Sequence, residues 1–127
     1  MQEPAILVVD DVADIVAEMV TMLELVGVAA LGAASVPEAL RGLRDRPSIR
    51  AIICDLHLQR EDGRTLLALL RDEPALANRS LSVIFITGDS DVEGTPAHTP
   101  PITILRKPID PDLVIDRVRH ILGMAAG

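Results

Sequence analysis

The sequence predicts an α/β fold in which helices cover both faces of a five-stranded parallel sheet. Short apolar runs rich in β-branched residues alternate along the chain with segments of helical periodicity. The apolar runs are continuous, as is typical of strands buried on both faces of a parallel sheet. The predicted strands are residues 5–9, 28–33, 51–54, 81–87 and 102–105.

Four helices are predicted between and after these strands. The first ends at Gly27, and the second begins with a capping box formed by Ser35 and Glu38. The last begins at the N-cap Asp110, followed by Pro111 at the first helical position. Apolar residues at helical spacing mark the four segments: Ile15, Met19, Leu23 and Val26; Val36, Ala39, Leu40 and Leu43; Leu66, Leu69 and Leu70; Val114, Val118, Ile121 and Leu122.

The connection between the fourth and fifth predicted strands departs from this pattern. Residues 88–101 contain three prolines and two glycines. Proline removes amide donors and glycine raises the entropy cost of ordering the backbone. We therefore expect an irregular segment in which the fourth helix is short or absent.

Composition narrows the class of protein. The chain has 127 residues, which predicts a single domain spanning residues 1–127. A net charge of −7 and a single aromatic residue, Phe85, argue against nucleic-acid binding and against anionic membranes. The lone Cys54 indicates a reducing compartment, and no apolar run is long enough to span a membrane. We therefore expect a cytoplasmic domain with no direct nucleic-acid or membrane partner.

Polar residues gather where the predicted strands end. Asp10 and Asp11 follow the first strand, and Asp55 follows the third. Thr87 ends the fourth strand, and Lys107 comes shortly after the fifth. Ligands of open parallel sheets bind beyond the carboxyl ends of the strands, so the five residues together predict one site. Taken alone, an acid such as Asp11 would equally suit a turn or a helix N-cap.

The residue types at this edge suit phosphoryl transfer. Three clustered carboxylates repel one another and call for a cation, and oxygen ligands open to water suit Mg²⁺. An ammonium and a hydroxyl complete a set that can bind phosphoryl oxygens, with Asp55 as candidate nucleophile. Lys107 is the only lysine among twelve basic residues, which indicates that this position requires a compact ammonium.

In this order, the motifs resemble the receiver domain of two-component response regulators, in its stand-alone form. The resemblance covers the whole chain and implies a flavodoxin-like, doubly wound sheet with strand order 2-1-3-4-5. The motifs that carry it are Val8-Val9-Asp10-Asp11, Ser35-Val-Pro-Glu-Ala-Leu40, Ile53-Cys-Asp55-Leu-His-Leu, Asp62-Gly63, Ile86-Thr87-Gly88 and Lys107-Pro108.

The resemblance implies a phosphorelay switch in signal transduction. Asp55 would accept a phosphoryl group from a histidine kinase or phosphotransfer protein, and an unknown downstream protein would respond. The chain would not be an enzyme beyond catalysing its own phosphorylation and dephosphorylation. The implied magnesium ligands are Asp10, Asp11, Asp55 and the backbone carbonyl of His57. The implied phosphoryl-binding residues are Thr87, Gly88 and Lys107, with a cis bond between Lys107 and Pro108.

The sequence departs from the family pattern at three places, and two other functions remain as alternatives. Gln59 stands where proline is usual, Ile104 replaces an aromatic switch residue, and the fourth helix is altered. The alternatives are a non-phosphorylated interaction module and a magnesium-dependent hydrolase, which would need an acid where His57 stands. His57 either tunes the phosphate lifetime or is an ordinary loop histidine. The chain could also form a homodimer. Strand alternation predicts that Cys54 points into the core, away from Asp55.

Overall fold

The computed structural model describes residues 3–58, 62–88 and 102–123, and within them it contains five strands and five helices. The strands are β1 (Ile6–Val9), β2 (Ala30–Ala33), β3 (Ala51–Asp55), β4 (Ser82–Thr87) and β5 (Ile102–Arg106). The helices are α1 (Ala13–Leu25), α2 (Val36–Asp45), α3 (Arg64–Asp72), α4 (Pro74–Ala77) and α5 (Pro111–Leu122).

All strand pairs are parallel, and the strand order is β2-β1-β3-β4-β5. This confirms the predicted doubly wound, flavodoxin-like sheet. The chain leaves β1 toward β2 on one side and returns to β3 on the other, so the order reverses beside β1. Binding crevices of open α/β sheets form at such a reversal. The carboxyl ends of β1 and β3 are therefore where this fold positions a site.

The core lies on both faces of the sheet because the buried strands alternate their side chains between the two. One face packs against α2, α3 and α4 and includes Phe85 and Cys54, both fully buried. The other packs against α1 and α5 and includes Val8, Ile53 and Ile84. Cys54 is thus a core residue on the face that α2 and α3 cover, as expected.

The helix ends follow the predicted signals. The Ser35 hydroxyl accepts a hydrogen bond from the Glu38 amide at 3.2 Å, and the Glu38 carboxylate accepts one from the Ala34 amide at 2.9 Å. Asp110 accepts from the amide of Asp112 at the start of α5. Gly27 follows α1 with φ of +84°, a left-handed conformation that glycine adopts without strain.

The third connection differs from its prediction. Its helix ends at Asp72 because Pro74 cannot continue it, and the four-residue α4 follows. Leu67 is buried, whereas Leu69, predicted on the inner face, is 37% exposed. The short fourth helix in chain order therefore precedes β4. The predicted irregular segment lies almost entirely outside the described residues, as does Gln59.

A helix that crosses a membrane must be both long and apolar. In the part of the chain that the structure describes, no helix is both long and apolar enough to cross a bilayer.

Candidate functional site

Asp55 ends β3 and is the centre of the site. Its residue surface is only 7% exposed. Its Oδ1 accepts a hydrogen bond from the His57 amide at 2.9 Å, and its Oδ2 lies 3.0 Å from Nζ of Lys107. One carboxylate oxygen is therefore fixed by the following turn, and the other by an ion pair with a distant strand.

Lys107 reaches Asp55 because of how β5 lies against β4. The Lys107 amide donates to the carbonyl of Thr87 at 2.8 Å, which fixes the start of its side chain beside β4. Its stem then spans one strand to β3, and the side chain is 41% exposed. Gly88 lies along this stem, since a Cβ atom built on it would be 3.8 Å from Cδ of Lys107. The Lys107–Pro108 peptide bond is cis.

The carboxylate of Asp10, like that of Asp55, accepts a hydrogen bond from the amide two residues later. Asp10 is 5% exposed, and its Oδ1 accepts from the Val12 amide at 2.9 Å. Val12 is the N-cap residue of α1, so this bond fixes the backbone just before the helix begins.

Burial raises the pKa of Asp10 above its usual value, and the negative charges of Asp55 and Asp11 raise it further. The hydrogen bond from the Val12 amide opposes these effects without cancelling them. A raised pKa means that the surroundings of this carboxylate disfavour its charged form. The ammonium of Lys107 lies on the Asp55 carboxylate.

The donor set fits magnesium. Among residues 3–58, 62–88 and 102–123, no three His, Cys, Asp or Glu side chains are arranged to hold a metal ion. A site made of side chains alone, with Asp10, Asp11 and Asp55 all as ligands, is therefore not formed in these positions. Magnesium is commonly held by one or two carboxylates and keeps several waters, which matches two fixed carboxylates beside an opening to solvent.

The remaining predicted residues lie around this centre. Thr87 is fully buried at the end of β4, whereas Asp11 is half-buried directly after Asp10. His57 is exposed and pairs with Asp62 in an isolated antiparallel bridge. Ile104 is half-buried opposite Phe85, so an aliphatic side chain occupies the position expected of an aromatic switch.

A cavity of about 380 Å³ adjoins the carboxylates. Asp10, Asp55 and Lys107 line one part of it, and residues of α1 such as Ile15 and Met19 line another. The apolar walls lower the local dielectric, which strengthens the electrostatic interactions at its polar part. This environment agrees with the burial effect at Asp10.

Sequence patterns did not identify two groups that shape the site. The amides of Val12 and His57 hold Asp10 and Asp55, each two residues after the carboxylate. Aspartate commonly accepts from the amide two residues on, so the signal was available in the turn chemistry after each strand.

The fold and the site together define a doubly wound α/β domain with an acidic pocket and a lysine at the carboxyl edge of its sheet. The chain belongs to the response regulator receiver domain family, whose model matches residues 6–119. It is therefore a receiver domain of two-component signalling. No curated protein matches the chain.

Solved structures agree with this assignment. A response regulator receiver protein from Burkholderia phymatum is 33% identical, with 98% of each chain covered and a TM-score of 0.75. A sensor protein from Polaromonas sp. JS666 is 30% identical, covering 98% of this chain and 100% of its own, with a TM-score of 0.80. The signal receiver domain of an HD domain-containing protein from Pseudomonas fluorescens Pf-5 is 27% identical, with 96% of each chain covered and a TM-score of 0.79.

Proposed function

We propose that this receiver domain is a phosphorylation switch and that Asp55 is its phosphoacceptor. The phosphoryl group would come from a histidine kinase or phosphotransfer protein in a magnesium-dependent reaction, and a downstream protein would recognise the phosphorylated state. The observation that carries the proposal is the Asp55 carboxylate, nearly buried at the end of β3 and held by the His57 amide and Lys107.

The proposed reaction uses the residues at this edge in separate roles. An oxygen of Asp55 attacks phosphorus, the bond from phosphorus to the donor histidine breaks, and the imidazole nitrogen retains the electron pair. Lys107 transfers its hydrogen bond from the carboxylate to a phosphoryl oxygen, and the Thr87 hydroxyl and the Gly88 amide bind phosphoryl oxygens. These groups position the donor and offset charge, which is most of what phosphoryl transfer requires.

Magnesium, when bound, would supply further positive charge against the phosphoryl oxygens. The proposed ligands are Asp10, Asp11, Asp55 and the backbone carbonyl of His57; because the three side chains do not form a site by themselves, waters on the metal would complete its contacts to them. Asp10 supports this role by its position, because it is nearly buried after β1 and lines the same cavity as Asp55.

The test is phosphorylation by a small donor. We would incubate the protein with acetyl phosphate or phosphoramidate, with magnesium or with chelator, and locate the adduct by mass spectrometry. Wild type should gain one phosphoryl group on Asp55 only with magnesium. Asp55→Asn should gain none, and Asp116→Asn, which makes the same change at an exposed position of α5, should behave as wild type.

The outcomes separate this function from the two alternatives. Undiminished labelling of the same peptide in Asp55→Asn would overturn the phosphoacceptor assignment. A wild type that takes no phosphoryl group would favour an interaction module. Rapid release of phosphate over many turnovers, without an accumulating adduct, would favour a hydrolase.

A further inference from the structure

The start of α3 lies directly against the backbone that carries Asp55. Gly63 is buried, and a Cβ atom built on it would lie 2.6 Å from the carbonyl oxygen of Asp55. The same atom would lie 3.1 Å from Cα and 3.2 Å from the carbonyl oxygen of Leu56. All three contacts are backbone atoms, so no side-chain rotation could relieve them. A residue with a side chain at position 63 therefore requires a backbone shift.

The backbone nearest to Gly63 is held from two sides. The Gly63 amide donates to the Leu56 carbonyl at 2.8 Å, and the Leu56 amide donates to the carbonyl of Ile86 in β4 at 2.8 Å. Leu56 joins Asp55 to His57, whose amide holds the Asp55 carboxylate. A displacement of Leu56 would therefore reach the carboxylate along the chain and through its hydrogen bond.

Movement of α3 away from the site is the other way to make room. Its inner face opposes this movement, because Leu66, Leu67 and Leu70 are buried in the core. Ordinary contact begins at 3.4 Å, so an added methyl group would require a shift of about 0.8 Å from the 2.6 Å position. Part of that shift must fall on the segment that carries Asp55.

We infer that Gly63 is a positioning residue for phosphoryl acceptance at Asp55. Its missing side chain lets the start of α3 lie against the backbone of Asp55 and Leu56, which sets where the carboxylate lies. The inference rests on the proposed function of Asp55. Misplacement of a reacting group by about 1 Å can cost about 100-fold in rate, so a shift of this size should be measurable.

The test compares Gly63→Ala with Gly42→Ala. Gly42 lies in α2, and the nearest atom to its added Cβ is the side-chain atom Cδ2 of Leu31 at 3.1 Å, which can adjust. We would measure phosphorylation of Asp55 by acetyl phosphate at saturating magnesium and donor, well below each variant's melting temperature. The maximal rate should fall by about 10- to 100-fold in Gly63→Ala and stay near the wild-type rate in Gly42→Ala.

A purely structural role has a different signature. It would lower the melting temperature of Gly63→Ala and leave the maximal rate at low temperature within about two-fold of wild type, and that result overturns the inference. Failure of the proposed function is distinguishable, because then the wild type itself takes no phosphoryl group.

Hydrogen exchange of the wild type tests the same contact without any substitution. The amides of Leu56 and Gly63 should exchange as slowly as those of the central strands, because both donate hydrogen bonds that fix the backbone next to Asp55. Exchange as fast as that of an exposed loop would overturn the inference. This result can be obtained even if Gly63→Ala does not fold or the wild type is not phosphorylated.

Discussion

Replacing Asp10 with asparagine should stabilise the metal-free protein. Burial and the charges of Asp55 and Asp11 raise the pKa of Asp10 in the folded state above its ordinary value of 3.8. The folded state therefore binds this proton more tightly than the unfolded state, and stability falls as the pH rises from about 3.8 through the folded-state pKa. Asparagine removes the charge and keeps the Oδ1 acceptor for the Val12 amide.

The changes in stability caused by pH and by magnesium can each be given a size. A difference of one bound proton changes stability by at most about 1.4 kcal/mol per pH unit within that window. Magnesium at about 100 times its dissociation constant should stabilise the wild type by about 2.7 kcal/mol. For a chain of 127 residues, this corresponds to a rise in melting temperature of about 10 °C. Asp10→Asn should lose most of this rise because it lacks the ligand charge.

The assay is thermal and urea unfolding followed by far-UV circular dichroism, with chelator and with magnesium, at neutral pH and near pH 3.5. Asp14→Asn is the matched control, since it makes the same charge change at an exposed position of α1. In chelator at neutral pH, Asp10→Asn should melt above wild type, and the difference should vanish near pH 3.5. A variant less stable than wild type in chelator, or an equal magnesium-induced rise in both proteins, would refute the reasoning.

Three further predictions concern the site and the core. Lys107→Arg and Lys107→Ala should fold but take up phosphoryl groups about ten-fold or more slowly, measured by mass spectrometry, because the compact ammonium is lost. A rate equal to wild type would contradict the role of Lys107. Phe85→Ala should lower the free energy of unfolding by about 3–5 kcal/mol in urea, since Phe85 is fully buried, whereas Leu25→Ala, at a position 82% exposed, should change it little. Arg79→Ala should lower the free energy of unfolding by about 1–3 kcal/mol in the same assay, because the half-buried Arg79 donates to three backbone carbonyls at and after the end of α2. An unchanged urea midpoint would show that those bonds contribute nothing.

The sequence was sufficient to predict the sheet because β1, β3 and most of β4 are buried and the edge strands β2 and β5 are largely half-buried and apolar. The continuous apolar runs are required by helices on both faces, and parallel strands bring their carboxyl ends to one edge. That geometry is why Asp10, Asp55 and Lys107 could be assigned to one place from their positions after three separate strands. The order of the strands in space came from the family resemblance, as did the cis bond before Pro108 and the assignments of the His57 carbonyl and Gly88.

Other features depend on contacts that a linear pattern does not contain. Leu66 through Leu70 offer several apolar faces, and packing against α2 and β3 selects Leu67 over Leu69. The pKa of Asp10 depends on burial and on neighbours from another strand. The importance of Gly63 depends on a close approach to Asp55, eight residues earlier in the chain, which only the folded turn creates.

The distribution of charge supports the proposed magnesium beside Lys107. Lys107 lies on the Oδ2 atom of Asp55, so the ammonium already has a partner in the free protein. Burial and the negative charges of Asp55 and Asp11 raise the pKa of Asp10. A phosphoryl group arriving at Asp55 would draw Lys107 toward its own oxygens and leave the carboxylates still less compensated. In the proposed function, a cation beside Asp10 would offset this charge when the phosphoryl group is present, and a metal that binds carboxylate and phosphoryl oxygens together suits that place.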